Sequence, residues 1–246
     1  MQMKKIGVII PSTNVSVERD YNALAPETAS FHAARVYINN SIGSDDKAAE
    51  TLRQIREGTG KAVEDVLTCQ PDHLVLGMSS ETFVGGLEGQ RELTAKWEAE
   101  SGLKVTTGAD ATRQALETIG ARKIAVLTPY QPVIDAQVER YFDDLGYALV
   151  AMRSLRCPTA VSIAETSDEE VLAKIDEMRD EGQVDCFVQA GTNLSTWRLA
   201  DEIERRTGKP HIAINAACVW HALQAVGVDA SLPAAGRVFA GQTASA

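Results

Sequence analysis

Lys4-Lys5-Ile6-Gly7-Val8-Ile9-Ile10-Pro11 returns far downstream as Arg122-Lys123-Ile124-Ala125-Val126-Leu127-Thr128-Pro129. A second pair follows the same rule: Pro71-Asp72-His73-Leu74-Val75-Leu76-Gly77-Met78-Ser79-Ser80 is echoed by Val184-Asp185-Cys186-Phe187-Val188-Gln189-Ala190-Gly191-Thr192-Asn193. Each stretch is a charged lead-in, a short apolar run, then small and polar residues. A parallel strand buried on both faces reads this way when it delivers polar groups to its carboxyl end. The repeat predicts an α/β fold of two pseudo-symmetric parallel-sheet halves. Strand-end loops facing each other across a cleft would line the active site, as in the crevices of open α/β sheets.

Composition narrows the class. The 246 residues allow one large domain or two smaller ones, and 44% apolar residues can fill a core, although only 5% are aromatic. A net charge of −10 argues against a nucleic-acid or membrane-surface partner but leaves a small acidic ligand open. The four cysteines, Cys69, Cys157, Cys186 and Cys218, lack metal-site or disulfide-framework spacing, which reads as reduced thiols in a cytoplasmic protein. No run approaches the ~18 apolar residues of a membrane span, and Met1-Gln2-Met3 leads straight into the first strand without a long apolar leader.

Strands and helices alternate along the chain. Strands are expected at Ile6–Ile10, Phe31–Tyr37, Leu74–Leu76, Val105–Thr107, Ile124–Leu127, Ala148–Arg153, Cys186–Gln189 and His211–Ile214. Helices are expected from near Val15, over Asp45–Leu67 with interruptions at Gly58 and Gly60, and over Ala109–Ile119, Val133–Leu145, Asp168–Arg179, Ser195–Arg206 and Ala216–Val226. Gly85-Gly86-Leu87-Glu88-Gly89 reads as a mobile flap, and the small polar tail from Gly241 to Ala246 as disordered. The first half is drawn as residues 1–112, joined by 216–246, and the second as 113–215.

Ile9-Ile10-Pro11-Ser12-Thr13-Asn14-Val15-Ser16-Val17-Glu18 resembles the opening strand, turn and helix of the maleate cis-trans isomerases. Phe31-His32-Ala33-Ala34-Arg35-Val36, Thr128-Pro129-Tyr130 and Gly236-Arg237 extend that resemblance over nearly the whole chain. The chain is thereby similar to the Asp/Glu racemase superfamily, in the branch of maleate isomerases, arylmalonate decarboxylases and ectoine-utilisation proteins. The resemblance implies a cofactor-independent enzyme, isomerase or lyase in type, acting on a small carboxylate and able to form a homo-oligomer. Such enzymes place a cysteine at the mouth of each half, or in the decarboxylases only the second, because a thiol tuned near neutrality can move a proton or add to a double bond. Here those positions are Met78 and Gly191, and an asparagine that helps hold the isomerases' substrate is replaced by Ala160.

What remains is a carboxylate cradle: Asn14 after the first strand, Ser79 and Ser80 after the third, Tyr130 from the second half, Thr192 and Asn193 opposite. Each has a plainer reading, Asn14 as a helix cap, Tyr130 as packing, Ser79 and Ser80 as turn residues. Glu81 is a candidate general base or a first-turn helix acid, and Cys218 is a candidate for approaching the cleft from the last helix. Cys186 should pack as a small buried residue, and His32 and His73 read as structural. No metal is expected, nor a dinucleotide or P-loop cofactor. Three functions stay open: thiol-free decarboxylation or isomerisation, with Met78 in a hydrophobic wall; hydrolysis of an amide, ester or ring-closed analogue through Ser80 and Glu81; and non-catalytic carboxylate binding.

Overall fold

The computed structural model describes residues 3–241. Met1, Gln2 and the tail from residue 242, including most of the segment expected to be disordered, lie outside the described residues. Among the described residues eight strands form two four-stranded sheets. The first holds β1 (Lys4–Pro11), β2 (Ala29–Val36), β3 (His73–Leu76) and β4 (Val105–Thr107) in the order β2-β1-β3-β4. The second holds β5 (Lys123–Thr128), β6 (Ala148–Ser154), β7 (Cys186–Gln189) and β8 (His211–Ala213) in the order β6-β5-β7-β8. Every pairing is parallel, and the register matches the repeat: Ile6 opposes Phe31 and His73, while Ile124 opposes Leu149 and Cys186. The motif strands β1, β3, β5 and β7 are the inner strands, flanked on both sides, which explains their unbroken apolar runs.

Among the described residues nine α-helices accompany these strands: α1 (Val17–Leu24), α2 (Asp45–Leu67), α3 (Ser79–Phe83), α4 (Gly86–Ser101), α5 (Gly108–Thr118), α6 (Pro132–Asp144), α7 (Asp168–Arg179), α8 (Ala200–Thr207) and α9 (Ile214–Ala225). Ser167 starts α7 with a capping box closed by Glu170, and the Ser44 side chain accepts from Lys47 N at α2. α9 is buried on nearly all sides, packing against α1 and α5 of the first lobe and against the edges of both sheets.

Three expectations need correction. α2 runs unbroken through Gly58 and Gly60; Gly58 permits close approach to β2, since a Cβ there would fall 2.6 Å from Val36 Cγ1. The glycine-rich segment is not a flap: Gly86 begins the sixteen-residue α4. That helix buries only Gly86, Gln90 and Trp97, so it carries no clear apolar stripe in sequence. Its amino end is fastened by the other lobe, where Gly85 N donates to Gln137 Oε1 and Leu87 N to Asp144 Oδ2, both at 3.0 Å. The segment expected as one helix from Ser195 begins as a 3-10 turn at Trp197–Leu199 and becomes α-helical at Ala200. Among the described residues no helix is long and apolar enough to cross a membrane.

Candidate active site

The loops after β1, β3, β5 and β7 converge on one cavity of about 80 Å³ between the lobes. Asn14, Met78, Ser79, Ser80, Tyr130, Gly191, Thr192 and Asn193 all line it. Residues more than a hundred positions apart are thus brought to one surface. Among the described residues, no Lys, Arg, His, Asp, Glu or Cys lines the cavity. Polar groups gather where the strands end; Ile38, Ile42, Leu52, Ile55, Ile134 and Ile163 form the opposing aliphatic wall.

A hydroxyl pair spans the cleft. Ser79 Oγ lies 2.5 Å from Tyr130 Oη and accepts from Thr192 N at 2.9 Å. Thr192 Oγ1 donates back to Gly77 O at 3.1 Å. The two hydroxyls carry two protons, and their mutual bond uses one, leaving one to donate into the cavity. Burial pushes the Tyr130 hydroxyl well above its ordinary range, against the opposing pull of Ser79, so the phenol stays protonated at neutral pH.

Asn14 shapes the turn before α1, whose N-cap is Ser16, and keeps a donor. Its Oδ1 accepts from Ser16 N at 3.0 Å and Val17 N at 2.9 Å, which delays the start of α1 to Val17 rather than Val15. Its Nδ2 makes one long contact, 3.4 Å to Thr192 Oγ1, and has a hydrogen to spare for a ligand. Asn193 serves mainly as a brace: Nδ2 donates to Ala160 O at 2.7 Å and Thr13 O at 3.4 Å, and Oδ1 accepts from Val15 N at 2.9 Å.

Behind this layer stands a pair not foreseen from sequence. Buried Asp20 accepts from Ser195 Oγ at 2.9 Å and from Asn215 Nδ2 at 2.8 Å, and Asn215 also donates to Thr192 O at 2.9 Å. Asp20 sits at an apolar-looking position of α1 and Asn215 at the start of α9, so only the fold brings them together. A hydrophobic wall was expected at Met78, but the isoleucines that build most of it look like ordinary core in the sequence.

The structure keeps two candidates out of the cavity. Glu81 turns away, pairs with Arg56 Nε at 2.6 Å, and lines a separate hollow with Lys96 and Trp97. Met78 lines both hollows and separates them. Helix geometry is the cause: successive residues of α3 point about 100° apart, so the helix cannot aim Ser79, Ser80 and Glu81 alike. Cys218 is fully buried on α9 beside Tyr21 of α1, and burial pushes its thiol up to about 12. Cys186 is buried within β7, as its apolar surroundings predict.

Gly191 is shaped for glycine. Its φ is +146°, and a Cβ there would lie 2.7 Å from Pro129 Cδ and 2.8 Å from Pro129 Cγ. A side chain of any kind at this point requires the strand-end loop to move.

Two parallel-sheet lobes with a donor-lined cleft at their strand ends define a class of two-lobed α/β proteins with a polar site between pseudo-equivalent loops. Within that class, the chain matches the arylmalonate decarboxylase family over residues 6–239, and it belongs to that family. It is 24% identical to the maleate isomerase of Nocardia farcinica, over 97% of this chain and 96% of that protein. It is 26% identical to the arylmalonate decarboxylase of Bordetella bronchiseptica, over 95% of each. Among solved structures, the Nocardia farcinica maleate cis-trans isomerase with a covalently bound succinylcysteine intermediate, a cysteine-to-serine mutant, superposes with a TM-score of 0.88 at 22% identity, covering 96% of this chain and 98% of that one. Arylmalonate decarboxylase superposes with a TM-score of 0.81 at 21% identity, covering 96% and 98%.

Proposed function

We propose that this chain is a cofactor-independent enzyme that stabilises negative charge on a small carboxylic acid and transfers a proton at its α-carbon without a thiol, most nearly as a decarboxylase. The observation that carries this reading is the Ser79–Tyr130 pair, backed by Thr192 N, in a cavity lined by no cysteine. The relatives' names suggest carboxylate chemistry, and the cradle supports it here.

One carboxylate of a substituted malonate would be held by Asn14 Nδ2, the Ser79–Tyr130 hydroxyls and Ser80. The other would face Met78 and the aliphatic wall, where an unpaired charge is poorly solvated. Cleavage of the bond to that carboxylate releases carbon dioxide and sends the bonding pair into an enediolate on the retained carboxylate. Preorganised donors stabilise that charge as it develops. A proton from the Tyr130–Ser79 pair then reaches the α-carbon, and water restores the pair. The partner is a small carboxylate substrate, and the four unpaired cysteines suit a reducing, cytoplasmic setting. Hydrolysis loses its base, because Glu81 faces the other hollow.

The test is incubation with phenylmalonate, alkylmalonates and maleate in deuterium oxide, followed by NMR. Loss of carbon dioxide with deuterium at the α-carbon is expected. Saturable binding without turnover of any acid would instead establish a carboxylate-binding protein.

A further inference from the structure

The two gripping loops are tied down in the same way, by residues that do not line the cavity. In the first lobe Arg35, the penultimate residue of β2, donates from Nη1 to Ser12 O and Asn14 O, both at 3.0 Å. Its Nη2 pairs with Glu18 in the first turn of α1. In the second lobe Arg156, just beyond β6, donates from Nη1 to Tyr130 O at 2.7 Å and pairs with Asp135 Oδ2 in the first turn of α6 at 2.6 Å. Ser12 and Tyr130 are equivalent positions of the repeat, each immediately after the proline at the carboxyl end of the inner strand's motif. Arg156 holds an unusual backbone conformation for a non-glycine residue, with φ +50°. Strain of this kind gathers at functional sites.

Each arginine also stands at the root of a loop that roofs the cavity. Residues 37–44 follow Arg35, and residues 157–166 follow Arg156. The roofs meet across the lobes through the Ser41–Thr159 bridge, Ile42 N to Pro158 O at 3.3 Å and Ala160 N to Asn40 O at 2.9 Å. Ile38, Ile42, Ala160 and Ile163 hang from them into the cavity. The Arg35 and Arg156 side chains are 39% and 46% exposed; the Arg35–Glu18 pair is exposed on both sides and adds little stability, whereas Asp135 opposite Arg156 is only 10% exposed.

We infer that Arg35 and Arg156 are a pseudo-two-fold pair of positioning residues, each locking the loop that carries one part of the carboxylate grip, Asn14 or Tyr130, to the root of the cavity's roof. Closing the roof and aligning the grip then become one event. This inference takes the gripping role of those loops from the proposed function, but its test reads geometry and needs no substrate.

The full chain, labelled at tyrosine Cζ and at asparagine side-chain nitrogen, is compared by NMR as wild type, Arg156→Ala, Arg35→Ala and Arg156→Lys. Tyr130→Phe assigns one of the five tyrosine signals. In Arg156→Ala the Tyr130 signal is expected to shift while Tyr21, Tyr37, Tyr141 and Tyr147 hold; in Arg35→Ala the Asn14 amide is expected to shift. Arg156→Lys should restore the Tyr130 signal, because a single nitrogen makes both contacts. Should Arg156→Ala fail to fold, the double variant Arg156→Ala with Asp135→Asn removes both charges and is read in the same way. Unmoved Tyr130 and Asn14 signals in folded alanine variants overturn the inference. With a substrate in hand, kcat should fall by up to about 100-fold in the folded variants, as expected for misplaced reacting groups. Absence of turnover by the wild type overturns the proposed function and leaves the chemical-shift result for the arginines standing.

Discussion

Tyr130 of the second lobe and Ser79 of the first place their hydroxyl oxygens 2.5 Å apart, so the cleft is closed by a bond made only when both lobes are folded and docked. Tyr130→Phe removes one of the pair's two protons while leaving Ser79 its bond from Thr192 N. Turnover of an accepted malonate should fall by about 100- to 1000-fold, the usual cost of losing one oxyanion donor. Stability should change by only about 1 kcal/mol, the net worth of an ordinary hydrogen bond. Steady-state kinetics beside urea denaturation tests both; retained kcat would show that the phenol is packing.

Restoring a cysteine at Gly191 should fail. A Cβ there meets the Pro129 ring at 2.7 Å, and the backbone is at φ +146°. Gly191→Cys is expected to destabilise the chain by about 1–3 kcal/mol through strain, and Gly191→Ala similarly. Denaturant midpoints measure this, and maleate-to-fumarate conversion by the cysteine variant would contradict it.

Thiol reagents should label Cys69 and spare turnover. Cys69 is partly exposed, while Cys157, Cys186 and Cys218 are buried. Burial raises the thiols of Cys157, Cys186 and Cys218, which disfavours the reactive thiolate. Peptide mass spectrometry after brief iodoacetamide treatment, with activity measured alongside, decides the matter. Inactivation that tracks labelling of any single cysteine would return a thiol to the mechanism.

Glu81→Gln should leave turnover within about threefold of wild type, because the carboxylate faces Arg56 and lies outside the cavity. A loss of two orders of magnitude would place Glu81 in the chemistry despite its orientation.

Acid should destabilise the fold through two buried histidines. His73, bonded to Thr106 Oγ1 at 2.7 Å, and His211, bonded to Thr196 Oγ1 at 3.0 Å, are each lowered by burial from 6.5 to about 4. Both stay neutral when folded, whereas the unfolded chain takes up protons near 6.5. Their contribution is therefore complete above about pH 6.5 and is lost as pH falls towards 4, at up to about 3 kcal/mol for each histidine. Urea midpoints between pH 7.5 and 4.5 should fall more steeply for wild type than for His73→Gln; parallel curves would show that His73 does not contribute.

The architecture is legible in the order of amino acids, because a strand buried on both faces must be apolar throughout, and the doubled motif writes four such strands with polar tips. The same motif marks Asn14, Ser79, Tyr130 and Thr192, whose loops follow those strands directly. Helix α4 escapes such a reading, since a helix that buries three residues and borrows its amino-terminal bonds from Gln137 and Asp144 leaves little periodic trace. The rest came from packing. It turned Glu81 to a different hollow, buried Cys218 against Tyr21, gathered distant isoleucines into one wall, and joined Asp20 to Asn215 behind Thr192. Side-chain direction depends on which face of each helix the neighbouring lobe covers, and that is settled only when the two lobes come together.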